Sequence, residues 1–445
     1  MNIKKVVILA AALAPFCAFA QEAPESASAP AEASAPDASE QPSTATVASL
    51  EERIAALEKK LTEQEQQLQQ NAAGTPASSA PAASDDKKIT IEIPALKDDE
   101  DIKVELHGIA QIQYVYSTCG GDGHAGDRNG FAVRRVTLGA NVDVGNGWTG
   151  KIVYEFDSGN DGGWIDDGYV ESALISKKID DFNGTLSVGH KKTHFMHEEY
   201  TSASKLSCIE RSINSNFVSG NSYVRGLAGH HIGVFWEGKL GKTFDYGASL
   251  TNAVARDYDK KSNDLAITGN VGWKLELDDD AQIYFGLNAT VNFGDDGDPE
   301  TFGSSSGTIL TNAGTVYGIE PYIEFKNGGF SLLADAYYIN GDDDSEINRF
   351  YGLNLTAKYR FPCGFEPAVR FTYLNTDSGV VKTSIQNRID SSEGHDNATT
   401  YYIGANYYFG KYVKLASGYE YGHCFGGGSG QVDYGAFRSM LQISF

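Results

Sequence analysis

From residue 101 onward, apolar and polar residues alternate with a period of two, the pattern of strands with an apolar medium on one side and water on the other. Tyr351, Leu353, Leu355, Ala357, Tyr359 and Phe361 share one face; Gly352, Asn354, Thr356, Lys358 and Arg360 share the other. Val104, Leu106, Ala110, Ile112 and Tyr114 likewise stand against Glu105, His107, Gln111 and Gln113. The pattern predicts strands near 104–116, 131–144, 148–157, 168–176, 184–190, 225–236, 244–252, 265–276, 282–293, 314–325, 329–339, 350–361, 366–375, 400–409, 413–421 and 434–445. Their number is even and their connections alternate. Tight ones such as Gly145-Asn146-Gly147, Asn327-Gly328 and Gly410-Lys411 separate pairs joined by longer acidic, glycine-rich segments. A soluble sandwich has no reason to sort its loops by parity, whereas a membrane barrel, which must close without a free edge, sorts them in this way. The predicted fold is all-β, a 16-stranded antiparallel transmembrane β-barrel preceded by an α-helical coiled-coil segment.

Ahead of the barrel the period changes. Lys4 and Lys5, the apolar stretch 6–14 and Ala18-Phe19-Ala20 read as a signal peptide over 1–20. Cys17 raises the rival of a lipoprotein, but the residues before it lack the leucine and small residue of such a site. Residues 21–46 form an Ala/Pro/Ser linker too poor in large apolar groups to fold. Over 47–70, Val47, Leu50, Ile54, Leu57, Leu61, Gln64 and Leu68 fall at steps of three and four, a coiled-coil seam; a lone amphipathic helix is the alternative. A second linker is expected over 71–102, and the outer-membrane β-barrel domain over 103–445.

Composition agrees with strands: 49 Gly, 24 Tyr and 22 Phe suit turns and aromatic interfaces, and past residue 20 no apolar run approaches the length of a spanning helix. The net charge of -23 offers no basic field and excludes nucleic acid as a partner. Asp295-Asp296 and Asp342-Asp343-Asp344 read as solvated loops, with divalent cations among lipopolysaccharide head groups as the sharper reading. Phe437, Leu441, Ile443 and Phe445 alternate with Arg438, Gln442 and Ser444. This pattern resembles the membrane-insertion signal read by the barrel-assembly machinery.

Gly189-His190-Lys191-Lys192, then Phe195, Glu198, Thr201-Ser202, Ser204 and Glu210-Arg211-Ser212 resemble the third loop of the phosphate-selective porin O and P family. Arg134-Arg135 and a coiled coil ahead of the barrel are similar to that family's beginning, although Thr193-His194 replace its usual proline. The resemblance implies a sixteen-stranded homotrimer whose third loop folds inward, with Lys191, Lys192, Glu198, Glu199, Lys205 and Arg211 at the constriction.

Phosphate selectivity in that family rests on lumenal arginines and lysines, so the lumen face decides the question. By alternation it receives Arg135, Lys151, Lys274, Lys358, Arg360, Arg370, Lys414 and Arg438. It also receives Glu105, Asp143, Glu155, Asp157, Asp245, Glu276, Glu320, Glu324 and Glu420, so no basic ladder results and selectivity falls to the loop. Over 190–221 four bases stand against three acids, an excess favouring anions that titration of His190, His194 and His197 would strengthen below about pH 6.5. These histidines, at spacings of four and three, are also a weak metal pattern, but no metal or cofactor is expected.

No catalytic residue is expected: Gly426-Gly427-Gly428-Ser429-Gly430 lacks the following helix of a nucleophile elbow or phosphate cradle. Strand order places Cys119, Cys208 and Cys424 in outer loops and Cys363 at the opposite end, and closure suggests a Cys119–Cys424 bridge. The reading is an outer-membrane porin for passive diffusion of small hydrophilic solutes and ions, with an anion or phosphate preference. Its N-terminal segment is periplasmic and its partners are lipid, lipopolysaccharide and, through the stalk, peptidoglycan. The alternatives are an adhesive or structural protein tethered by its coiled coil, and a sugar-specific porin marked by aligned lumenal aromatics, for which Tyr284, Tyr322 and Tyr402 lie too scattered in this register.

Overall fold

A computed structural model describes residues 89–93, 102–120, 128–156, 168–220, 226–255, 264–293, 315–341, 349–376, 395–427 and 430–445. The signal peptide, coiled coil, 21–46 linker, Asp157 and the two aspartate clusters lie outside the described residues.

A short strand comes first, β1 (Ile89–Ile93). Sixteen strands follow: β2 (Ile102–Gly120), β3 (Arg128–Asp143), β4 (Trp148–Phe156), β5 (Tyr169–Ile179), β6 (Gly184–Lys192), β7 (His230–Leu240), β8 (Phe244–Asn252) and β9 (Leu265–Glu276). The second half comprises β10 (Ala281–Asn292), β11 (Val316–Asn327), β12 (Phe330–Gly341), β13 (Arg349–Tyr359), β14 (Phe365–Thr376), β15 (Asn397–Phe409), β16 (Val413–Phe425) and β17 (Val432–Ser444). From β2 to β17 each strand pairs antiparallel with its sequence neighbours, and β17 returns to β2, closing the barrel. Every predicted strand is present. The addition is β1, inside the stretch expected as linker, which pairs with the start of β2.

Side chains sort as a membrane requires, apolar groups outward and polar ones inward. On β13, Tyr351, Leu353, Leu355 and Tyr359 are exposed, whereas Gly352 and Asn354 are buried. Outward aromatics gather at both ends. Tyr359, Phe361 and Phe365 touch one another beside the tight turns, and Tyr351–Tyr373 and Phe371–Tyr401 do so toward the long loops. Tyr351 and Tyr359 stand eight residues apart on one strand; at roughly 3.3 Å per residue and a tilt of roughly 40° the belts lie about 20 Å apart, near the apolar height of such barrels. Leu441, Ile443 and Phe445 are exposed on the same outer face, and Phe437 is half-buried there.

Candidate functional site

The connection after β6 is the one that shapes the lumen. It carries two short helices, α1 (His197–Tyr200) and α2 (Ile213–Ser219), and folds inward onto the wall of β11–β17. Ile213 and Phe217, one helical turn apart on α2, share a face. With Phe195, Met196 and Leu227 they bury against Ile339, Phe350, Leu374 and Tyr434 of the wall. Gly318 leaves the space for Phe195, since a Cβ there would lie 2.6 Å from its ring. The loop lacks a strand partner, so wall side chains satisfy its carbonyls. Asn406 donates to Ser207 O at 2.8 Å, Lys414 to Ser204 O at 3.1 Å and Leu206 O at 3.2 Å, and Arg370 to Glu210 O at 2.8 Å.

Docking in this way removes acids from the lumen. Glu320, Asp335 and Glu420 are at most 2% exposed behind the loop. Glu320 accepts the His197 amide at 2.8 Å and Asn288 Nδ2 at 2.6 Å. Arg370 joins Glu420 at 3.1 Å to Glu198 of the loop at 3.0 Å. Glu198 also accepts the backbone amide of Ser212, the N-cap of α2, at 2.9 Å, and the Ser212 hydroxyl. Glu210 is gripped by Arg134, with Nε 2.7 Å and Nη2 3.0 Å from its two oxygens. Burial would raise the Glu210 carboxyl, but the Arg134 guanidinium, together with Arg438 and Arg135, outweighs it and holds the group down to about 2.

Arg370, Lys414 and Arg438 of the same wall are buried with these acids, and the open side is lined mostly by other bases. Between the loop and the β2–β6 wall lies a cavity of ≈ 760 Å³ whose charged lining is Arg134, Arg135, Lys151, Lys191, Lys192 and Arg211 against Glu155, Glu171 and Glu199. A second cavity of ≈ 800 Å³, toward the tight turns, shares His107, Lys151 and Ser202 with it. Its charged lining is Lys151, Lys205, Lys358, Arg360, Lys411 and Lys414 against Glu105 and Glu366. Together the two form a passage with a basic excess inside an acidic chain.

Two β-bulges set this lining. Gln111 pairs with Arg135 and Ile112 with Val133, so Arg134 is the extra residue of β3. Strict alternation would turn one of two consecutive arginines outward; the bulge lets both face the lumen. Likewise Val153 pairs with Ser172 and Tyr154 with Val170, which bulges Glu171 from β5 into the passage, its carboxylate 3.8 Å from His230 Nε2. Neither Arg134 nor Glu171 belongs to the lumen as alternation assigns it. The adjacent arginines were the one visible signal.

Of the residues expected at the constriction, Lys192, Glu199 and Arg211 come together. Lys192 Nζ lies 2.5 Å from Glu199 Oε1 and Arg211 Nε 2.9 Å from Oε2, and these cations hold the Glu199 carboxyl low although burial raises it. Lys191 stands apart on Glu237 of β7 at 2.5 Å, where His194 and Tyr200 also converge at 2.6 and 3.1 Å. Lys205 is exposed at the second cavity, and Glu198 is turned toward the wall. Among the lumen residues, Arg135 lies 3.3 Å from Glu155 and Lys358 3.8 Å from Glu366; Arg360 lies over the Tyr408 ring at 3.7 Å. Lys151 lines both cavities. Arg370 and Arg438 are buried.

Three expectations need correction. The histidines do not converge: His190 meets His230, His194 binds Glu237, and His197 stacks on Tyr322 at 4.2 Å. Burial lowers the His197 pKa, which works against the charge that titration was expected to add. Tyr284 and Tyr322 are not scattered but stacked at 5.8 Å, Tyr284 donating to Asp245 at 2.7 Å. Their faces are spent on each other and on His197. The Cys119–Cys424 bridge fails because β17 lies between the strands that carry them, Cys119 opposite Tyr434 and Cys424 opposite Val432. Two strand spacings, about 9–10 Å, exceed the reach of a disulfide. Cys208 is buried inside the lumen, where burial pushes its thiol up to about 11.

Solved structures share this architecture. The outer membrane channel DcaP of Acinetobacter baumannii aligns with a TM-score of 0.54 at 15% identity, covering 77% of this chain and 97% of its own. The anion-selective porin of Comamonas acidovorans gives 0.52 at 14%, covering 77% and 100%, and OprB of Pseudomonas putida 0.54 at 10%, covering 77% and 94%. At such identities the likeness is one of fold. No curated protein matches the chain. The profile of the Gram-negative porin family matches residues 72–423, which span the barrel through most of β16, and the chain therefore belongs to the Gram-negative porins, channel-forming β-barrels of the outer membrane.

Proposed function

We propose that the passage carries small hydrophilic solutes by diffusion and prefers anions, phosphate among them. One observation carries this reading: bases outnumber acids in the lining of both cavities that the inward loop leaves open. Many of these bases are ion-paired, but a permeating anion meets a net excess of them along both cavities, and water-filled passages weight ions by such fields. No step in this reading is catalytic. The constriction is formed by Glu199 and Arg211 on the loop and by Lys192, Arg134, Arg135 and Lys151 on the wall. A trimer, the insertion role of Phe437, Leu441, Ile443 and Phe445, and a periplasmic N-terminal stalk on peptidoglycan complete the proposal.

Reversal potentials of the purified protein in planar bilayers under a KCl gradient test it. Chloride is expected to exceed potassium in permeability, with inorganic phosphate carried as well. Cation selectivity at neutral pH overturns it, and absence of conductance returns the structural or adhesive alternative.

A further inference from the structure

Strand β2 is longer than the strand that closes the barrel on it. β17 pairs with β2 from Asp433↔Gly120 to Ser444↔Ile109, and Gly108 exchanges both backbone hydrogen bonds with Phe445, at 3.0 and 3.1 Å. On its other edge β2 is taken by β3 down to Lys103↔Asp143. The part of the first edge that β17 leaves is covered by β1, in the register Ile89↔Leu106 to Ile93↔Ile102. Both β1 and β17 run antiparallel to β2. Ile89 therefore follows Phe445 along one edge, as though the closing strand continued.

We infer that β1 is a register stop for barrel closure. A slide of β17 by one residue turns its apolar face into the lumen and is excluded by the pleat. A slide by two residues keeps both faces. Ser439 would then stand opposite Ile112 instead of Tyr114, outward with outward, and Phe445 opposite Leu106. A slide toward the long loops loses ladder bonds with nothing to replace them. A slide toward the tight turns meets fresh backbone donors and acceptors on β2, unless that edge is occupied. Ile89 holds the position opposite Leu106, so the slipped register has no place to go. The same cover shields an edge that would otherwise accept a strand from a second copy.

Paired cysteines read the register directly, because residues directly opposite lie within disulfide reach and partners two residues away do not. The background is the full chain with Cys17, Cys119, Cys208, Cys363 and Cys424 replaced by alanine. The pair Ser439→Cys with Tyr114→Cys reports the native register, and Ser439→Cys with Ile112→Cys the slipped one. After refolding and oxidation, mass spectrometry is expected to find only the first bridge while β1 is intact. Thr90→Pro with Ile91→Pro removes a ladder donor in either hydrogen-bonding phase, and the slipped bridge should then appear in at least about a tenth of the folded molecules. If that variant does not assemble, a Gly/Ser insertion in the 94–101 connection weakens β1 docking without altering the strand, and the same two pairs are read. A slipped bridge in that variant supports the inference. Native register alone, with β1 broken or loosened, overturns it.

Discussion

Arg134 of β3 and Glu210 of the inward loop form a two-pronged ion pair, Nε to one carboxylate oxygen at 2.7 Å and Nη2 to the other at 3.0 Å. The pair ties the loop to the wall opposite the one on which it packs, and Arg134 reaches it because a bulge turns that residue inward beside Arg135. It also withdraws Glu210 from a passage otherwise rich in bases.

Breaking this pair from one side leaves a buried charge without its counterpart. Arg134→Gln is expected to destabilise the folded loop by about 3–5 kcal/mol and to lower anion preference, whereas Arg134→Gln with Glu210→Gln should cost less than either single change. Thermal unfolding in detergent, taken as a double-mutant cycle, checks the coupling. Additive single effects would show that the pair contributes nothing.

Acid should release the same contact. The folded pKa of Glu210, about 2, lies below its ordinary 4.5. The stabilisation is therefore fully present above about pH 4.5 and is lost as pH falls toward 2. Unfolding temperatures measured at pH 6, 4 and 2.5 should fall more steeply in the parent than in Glu210→Gln.

Single charges along the passage should be legible in selectivity. A unit charge about 5 Å from the ion path in water-like surroundings is worth about 0.5 kcal/mol at 0.1 M salt, with opposite sign for anion and cation, or about fivefold in their permeability ratio. Lys192→Gln and Arg135→Gln are each expected to reduce the chloride-to-potassium ratio by about that factor at 0.1 M salt. The effect should shrink at 1 M, where the Debye length is about 3 Å. Removing the buried Glu320 carboxylate, as Glu320→Gln, should leave the ratio within about 1.5-fold, because that charge does not face the path.

The apolar side of the loop sets its rigidity. Phe217, wholly buried against Phe350 at a ring separation of 5.4 Å, anchors α2. Phe217→Ala is expected to cost about 3–5 kcal/mol of loop docking and to increase open-channel current noise in single-channel records.

Between pH 7.5 and 5.5, His197→Gln should change selectivity little, since burial disfavours the charged ring. Reversal potentials at the two pH values decide it; a difference from the parent would mean that His197 charges in the passage.

The barrel was legible along the chain because lipid imposes a local rule. Each strand meets lipid on one face whatever its partners, so Tyr351, Leu353 and Leu355 announce their side without reference to any distant residue. Tight turns at Gly145, Gly328 and Gly410, each with positive φ, announce the ends. Lys192 and Arg211 belong to the third-loop pattern read along the chain, and Glu199, which pairs with both, stands beside it. The strand at 89–93 was not, since five residues are too few for periodicity to separate from linker.

The arrangement of charge in the lumen was decided by the tertiary structure alone. Alternation counts Glu320 and Glu420 as lumen residues on equal terms with Lys151 and Arg135, because all of them point inward. Which of them meets solute depends on where a loop distant in sequence packs, and that packing follows from Phe195, Ile213 and Phe217 finding an apolar patch assembled from β11–β17. Two bulges add Arg134 and Glu171 by breaking the period from which inward and outward are read. Facing is a property of one strand and can be read from it; exposure is a property of everything packed above it.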